Sequence, residues 1–91
     1  MTVRISVEET FHRALKSLPP DRQRGAALAL KKFMAEPGLP SLRFRQLSGR
    51  PFHYIINPHR GDRIILRKDA NDLFAAVDVG PHDNIYRRWD R

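Results

Sequence analysis

Residues 61–86 read GDRIILRKDANDLFAAVDVGPHDNIY and contain two strand-like runs joined by a turn. Side chains alternate along a strand, so Arg63 and Arg67 project from one face of the first run, about 13 Å apart at roughly 3.3 Å per residue. The second run, residues 73–79, is apolar on both faces apart from Asp78. Such a run is typical of a central strand that is covered on both sides.

The same stretch contains four candidate site residues. The apolar run ends at a glycine–proline pair, a strong turn signal, and His82 and Tyr86 follow it. If the two runs pair as neighbouring strands, the end of the second brings this histidine and tyrosine towards Arg63 and Arg67. The sequence therefore predicts a site made of two arginines, one histidine and one tyrosine.

The N-terminal part predicts a strand followed by a helical hairpin. Residues 2–5 alternate and are rich in β-formers, which indicates a short strand. Ser6 begins a Ser-Val-Glu-Glu capping box, and apolar residues at helical spacing follow it for about three turns. Prolines at 19–20 end this helix, and a second helix runs from Pro20 to about Glu36. A short joint between two amphipathic helices predicts an antiparallel hairpin.

After the hairpin the apolar period changes from 3.6 to 2, which predicts strands at residues 42–45 and 52–57. Near the C-terminus, Asp83 is a predicted N-cap for one helical turn over residues 85–89. The predicted fold class is α+β in a single domain, residues 1–91. It has an N-terminal strand, a helical hairpin packed on one face of a mainly antiparallel sheet of four to five strands, and a short C-terminal helical turn.

The charge balance indicates an anionic partner. The 91 residues carry 17 lysines and arginines against 10 acidic residues, for a net charge of +7. Such an excess attracts nucleic acid, but an acidic protein partner or solubility alone would also account for it. The chain has no cysteine, and its four histidines lack ligand spacing, so we expect no metal and no cofactor. With no apolar run of about 20 residues and no signal-peptide pattern, we expect a cytoplasmic location and no membrane contact.

The order of these segments resembles the RelE/ParE superfamily, small basic toxins of bacterial type II toxin–antitoxin systems. The matching segments are LSGRPFHYIINPHRGDRIILRKD and LFAAVDVGPHDNIY. The segments FMAEPGLPSLRFRQL and HDNIYRRW are also similar to RelE-like domains attached to UvrD-type helicases. RelE-like members cleave mRNA on the ribosome without a metal, whereas ParE-like members inhibit DNA gyrase. The resemblance implies a metal-independent endoribonuclease (an mRNA interferase) or, alternatively, a gyrase inhibitor or a catalytically degenerate binding module. It also implies a cognate antitoxin protein as partner and leaves the oligomeric state open.

The resemblance further assigns roles to individual residues. Arg63 matches the arginine that contacts the scissile phosphate, and His82 lies where many members carry His or Arg. Tyr86 matches the functional tyrosine of RelE-like enzymes, while Arg67 occupies a position that varies among members.

RelE itself has lysines on the preceding strand, where this chain has Tyr54 and Ile56. The base of that version is lacking here, so His53 or His59 would have to substitute for it. The residues expected to bind substrate are His53, His59, Arg60, Asp83 and Arg87.

These residue types suit RNA cleavage without a metal. A base must activate the ribose 2′-OH, a cation must stabilise the charge on the phosphate, and an acid must protonate the departing 5′-oxygen. Histidine, with an ordinary pKa of about 6.5, suits either proton-transfer role, and arginine offers a fixed fork of donors to phosphate oxygens. We expect Arg63 and Arg67 on the phosphate, His82 as base or acid, and Tyr86 on the 2′-OH or a base face.

Each of these residues also has a purely structural interpretation. Arg63 would be a solvated charge, and Arg67 would form an ion pair with Asp69 or Asp72. His82 would stabilise the turn at the glycine–proline pair, and Tyr86 would be a core aromatic with a solvated hydroxyl. Trp89 has two interpretations as well, because it would either pack back onto the sheet or belong to a partner surface.

Overall fold

The computed structural model of the chain describes residues 2–58 and 61–89. The helices and strands are β1 (Arg4–Val7), α1 (Glu9–Lys16), α2 (Pro20–Ala35), β2 (Arg45–Gln46), β3 (His53–Ile56), β4 (Asp62–Ala70), β5 (Leu73–Pro81) and α3 (His82–Trp89). The five strands form one sheet in the order β1-β5-β4-β3-β2. Only the β1–β5 pair of this described sheet is parallel, and the other pairs are antiparallel. The predicted α+β class and mainly antiparallel sheet are confirmed.

The helices α1 and α2 cover one face of the sheet, which we call the hairpin face. Phe33 of α2 is fully buried at its centre and meets the ring of Phe74 edge-on, with 5.1 Å between centroids. The larger buried side chains of this core are Phe11, Leu18, Leu30, Phe33, Leu42, Ile56, Ile64, Leu66 and Phe74. Because burying such a side chain contributes about 1.5–3 kcal/mol, this core is the main source of stability.

The helix α3 covers the opposite face, which we call the α3 face. Ile85 of α3 is fully buried there, and Tyr86 and Trp89 pack beside it. The sheet side of this second core consists of Leu47, Ile55, Ile65 and Val77. The pattern that predicts a central strand covered on both sides is therefore confirmed for β5, and Trp89 packs back onto the sheet.

A β-bulge in β5 changes which side chains reach the α3 face. Ile65 pairs with Asp78, but the next residue, Leu66, pairs with Ala76, so Val77 is the extra residue. A bulge interrupts the strict alternation of side chains. As a result Val77 belongs to the α3 core, and the neighbouring Asp78 side chain also bonds to α3.

The predicted capping box at Ser6 is wrong. Ser6 lies within β1 opposite Ala75, and α1 begins at Glu9 after Glu8 in the N-cap position. Backbone pairing with β5 fixes four successive residues of β1, and this pairing overrides the local capping pattern. The second helix ends at Ala35, within one residue of the predicted end.

Three other boundaries also differ from the sequence-based prediction. Residues 40–42 form a 3-10 turn and Arg43 adopts a left-handed conformation (φ 52°), so β2 begins only at Arg45. The strand β4 continues to Ala70, which reduces the following turn to two residues. The C-terminal helix begins at His82 rather than Ile85, and Asp83 therefore lies inside its first turn.

An ion pair between a half-buried arginine and an almost fully buried carboxylate joins α2 to the first residue of β4. Asp62 is 1% exposed, and Arg22 donates to both of its carboxylate oxygens, from Nε at 2.9 Å and from Nη2. The hydrogen bond with Asp62 raises the pKa of Arg22. Within residues 2–58 and 61–89, no helix is long and apolar enough to cross a membrane.

Substituting Arg22 by Met is expected to lower the free energy of unfolding by about 3 kcal/mol, because it leaves the Asp62 carboxylate buried without its partner. Urea unfolding measures this change. Arg4→Met is the matched control, since the Arg4–Asp72 pair is exposed and such pairs contribute at most about 1 kcal/mol. Equal losses in the two variants would contradict the structural role of the Arg22–Asp62 pair.

Candidate functional site

The first turn of α3 brings His82 and Tyr86 together. The helix starts directly after β5, and the backbone N–H of His82 donates to the carbonyl of Gly61 at 2.6 Å. Residues four apart lie on the same side of a helix, and the two ring centroids are 4.5 Å apart. Asp83 lies 3.1 Å from Nδ1 of His82. Because a carboxylate only accepts hydrogen bonds, Nδ1 is the donor, and Nε2 of a neutral ring keeps its lone pair.

Arg45 joins this pair from the edge strand β2. Its Nη2 lies 3.4 Å from the hydroxyl of Tyr86, and its Nη1 donates to Oδ1 of Asn57 at 3.2 Å. Arg45 lies opposite Ile55, a member of the α3 core, so both residues are on the α3 face. Arg45 was not among the residues predicted from the sequence, although its alternation with Phe44 indicates that the two side chains lie on opposite faces of a strand.

Arg63 lies on the same face at the start of β4. Arg63 lies two residues before Ile65 of the α3 core, so the two side chains share a face of the strand. It pairs with Gly80 of β5, which lies two residues before His82. Its Nη1 donates to the backbone carbonyl of Asp62 at 2.7 Å. Among the described residues, its buried Nε has no hydrogen-bond partner. A buried donor without a partner is uncommon in proteins, and a bound acceptor would satisfy it.

The arginines of this group carry uncompensated charge. Within the described parts of the chain, neither Arg45 nor Arg63 forms an ion pair with a carboxylate. A cavity of about 290 Å³ opens between Tyr86, Arg45 and Ile55. We call Arg45, Arg63, His82 and Tyr86 the α3 group, and its chemistry is that of an anion-binding surface with a histidine and a phenol beside it.

A larger cavity, of about 580 Å³, lies on the other flank of α3. Its lining includes Thr10 and Arg13 of α1 together with Asn84 and Arg88 of α3. No member of the α3 group lines it. The size of a cavity alone therefore does not identify the candidate site.

Arg67 and His53 lie away from the α3 group, towards the other end of α3. They face each other across β3 and β4, and the His53 ring lies 5.5 Å from that of Trp89. Arg67 donates to Asp69 at 2.7 Å and to Glu8 at 3.2 Å. The hydrogen bond to Asp69, followed by that to Glu8, raises the pKa of Arg67. Its charge is thus matched by two carboxylates, which is the ion-pair interpretation of this residue.

Two of the remaining predicted substrate-binding residues, Asp83 and Arg87, are among the described residues. Asp83 and Arg87 are exposed on α3, and only Asp83 contacts the α3 group, through His82. His59 and Arg60 lie outside the described residues.

The fold is that of the RelE-like toxins. No family model and no curated protein sequence matches the chain. Among solved structures, it is similar to a chain of the archaeal RelE–RelB complex from Pyrococcus horikoshii, with a TM-score of 0.69 and 21% identity over 89% of this chain and 96% of that chain. A chain of the RelB–RelE antitoxin–toxin complex from Methanococcus jannaschii gives 0.73 and 19%, over 92% and 98%. A chain of the E. coli DinJ–YafQ toxin–antitoxin complex gives 0.76 and 10%, over 94% and 99%. The predicted RelE/ParE-like fold is therefore confirmed.

The Arg67–Asp69 pair predicts a pH dependence of stability. The hydrogen bond from Arg67 lowers the pKa of Asp69 from its usual 3.8, so the pair stabilises the fold fully above that pH. The contribution is lost as the pH falls from 3.8 through the lower pKa of the folded state. In Arg67→Met the pKa of Asp69, measured by NMR titration of its carboxyl carbon, is expected to rise. An unchanged Asp69 titration, equal to that in a Lys68→Met control, would refute the pairing.

Proposed function

We propose that this chain is the toxin of a toxin–antitoxin pair and that it cleaves RNA without a metal at the α3 group. The observation that carries the proposal is the buried Nε of Arg63, for which residues 2–58 and 61–89 supply no hydrogen-bond partner, on the face where His82 contacts Tyr86. A phosphodiester oxygen would satisfy this donor. The fold, shared with chains of the RelE–RelB and DinJ–YafQ complexes, supports the same class of function.

The proposed reaction is attack of the ribose 2′-oxygen on the adjacent phosphorus. The new bond from 2′-oxygen to phosphorus forms as the bond from phosphorus to the 5′-oxygen breaks. The products are a cyclic phosphate and a 5′-oxygen that takes a proton from solvent water to become a hydroxyl. His82 accepts the 2′-OH proton at Nε2, because Asp83 holds Nδ1 in the donor state. Arg63 and Arg45 stabilise the charge that develops on the phosphate oxygens. Tyr86 stacks on the neighbouring base or donates to the 2′-oxygen.

The base cannot come from the two positions that carry lysines in RelE, here Tyr54 and Ile56. Ile56 is fully buried in the hairpin core, and Tyr54 packs against it with its ring stacked 4.8 Å from that of Phe44. This observation also favours the second candidate, a RelE-like module that binds RNA or protein without cutting. His82 is what separates the two, since a pure binder has no need for an oriented imidazole.

The proposed partner is an acidic antitoxin protein that neutralises the positive charge. The chain has a net charge of +7, and Arg45 and Arg63 form no ion pair with any described carboxylate. An acidic, partly disordered segment is suited to such a surface. The proposed site of action is cytoplasmic, on ribosome-bound mRNA, as in the RelE-like members that the sequence resembles.

Replacing His82 by Asn is expected to lower the cleavage rate at least about 100-fold, because the amide cannot accept the 2′-OH proton. The rate is measured with purified protein and ribosomes carrying a defined mRNA, with cleavage positions mapped by primer extension. The matched control is His12→Asn, an exposed histidine of α1 that is expected to leave the rate unchanged.

The same preparation separates the alternatives. Intact mRNA together with inhibited gyrase in a supercoiling assay would replace the nuclease by a ParE-like inhibitor. Intact mRNA with unaffected gyrase, but with retained RNA binding, would identify a binding module. Equal cleavage by His82→Asn and wild type would remove His82 from the mechanism.

A further inference from the structure

We infer that Asp78 is a positioning residue for the proposed nuclease, acting through α3 rather than on the substrate. The inference rests on the proposed function for its catalytic consequence. Asp78 lies in β5, is only 8% exposed, and makes no described contact with the α3 group. Its influence on that group must therefore pass through another element.

The Asp78 carboxylate connects the sheet to the last turn of α3. Oδ2 accepts from Nε1 of Trp89 at 2.8 Å and from Nε of Arg88 at 2.9 Å, while Oδ1 accepts from Nη2 of Arg88 at 3.1 Å. Oδ1 also accepts from the backbone N–H of Val79 at 2.9 Å, which fixes the carboxylate itself. Charge-assisted hydrogen bonds of this kind are the strong ones in a protein.

Two features of β5 make this contact possible. With strict alternation, the side chains of Val77 and Asp78 would lie on opposite faces of the sheet. The bulge at Val77 places both of them on the α3 face. Gly80 then leaves room for the guanidinium, because a Cβ at this position would lie 3.3 Å from Nη2 of Arg88. The bulge lies directly before Asp78, and Gly80 lies between Asp78 and the start of α3.

Asp78 contacts the last turn of α3, and this place of contact matters because the helix is short. A helix of eight residues is not stable in isolation, so α3 depends on packing for its stability and its orientation. One end of α3 is fixed by its covalent link to Pro81. The other end is held by Asp78 together with Arg50, whose Nε donates to the Trp89 carbonyl at 3.3 Å and whose guanidinium lies over the Trp89 ring. With both ends fixed, His82 and Tyr86 are directed to the flank where Arg45 lies. Without Asp78 the helix would lose the acceptor that fixes both Arg88 and Nε1 of Trp89, and its last turn would be held less firmly.

The first part of the test uses Trp89, the single tryptophan of the chain, as an internal probe of the anchor. Asp78→Asn is expected to shift the Trp89 emission to longer wavelength and to increase its quenching by acrylamide. The amide lacks the charge and one of the two acceptor oxygens that hold Arg88 and Trp89, so the indole becomes more exposed. The matched control is Asp72→Asn, which removes the same charge from an exposed carboxylate of the β4–β5 turn. It is expected to leave the emission unchanged.

The second part measures catalysis by the same variants on ribosome-bound mRNA. Asp78→Asn is expected to lower kcat by about tenfold to hundredfold while KM changes little, because a small misplacement of catalytic groups costs up to about 10². Arg88→Gln is expected to have a similar effect, and the double variant should be no worse than the stronger single one, since both substitutions break one connection. If Asp78→Asn does not fold, Arg88→Gln alone provides the test.

A loss of stability by itself would not give this pattern. Ile56→Val weakens the hairpin core without touching α3 and is expected to retain both kcat and the Trp89 emission at temperatures where it is folded. An unchanged Trp89 signal and unchanged kcat in Asp78→Asn would overturn the inference while leaving the proposed nuclease in place. A wild-type protein that cleaves no RNA would instead overturn the proposed function, and the catalytic role of Asp78 with it.

Discussion

The contact between α3 and the sheet is the interaction on which the candidate site depends. His82 and Tyr86 are both on this eight-residue helix, whereas Arg63 and Arg45 are on strands. The four side chains form a group only while Ile85 stays buried against Ile65 and its neighbours, and while the carboxylate of Asp78 holds the far end of the helix. The site is therefore a property of the packing between elements, and no single element contains it.

Two buried carboxylates on the central strands have parallel roles on opposite faces. Asp62 at the start of β4 binds Arg22 of α2, and Asp78 near the end of β5 binds Arg88 of α3. Each is nearly inaccessible to water, so its charge has to be matched by a specific cation. The arginines thus divide into those that hold helices in place and those, such as Arg63, that remain available for an anion.

The sequence predicted those parts of the structure that depend on local patterns. The long apolar run located β5, and helical periodicity located α2. The parts it missed depend on contacts between distant residues. Ser6 has the local pattern of a helix cap, which the pairing of β1 with β5 overrides, and no local pattern predicts that Arg67 contacts Glu8, 59 residues away. The register of the edge strand β2 is what places Arg45 in the α3 group, and a register cannot be read from a local pattern. No local pattern indicates the bulge that turns Asp78 towards α3 either.

The most direct test of this account is an NMR titration of the protein, labelled with ¹⁵N in its arginine side chains, with a short RNA methylated at every 2′-oxygen. Such an RNA can bind but cannot be cut. The account predicts that the Nε–H signal of Arg63 moves downfield as this buried donor acquires a phosphate acceptor, that Arg45 also responds, and that Arg24 on the exposed side of α2 does not. Saturable binding with an unmoved Arg63 signal, or with responses confined to α1 and α2, would contradict it.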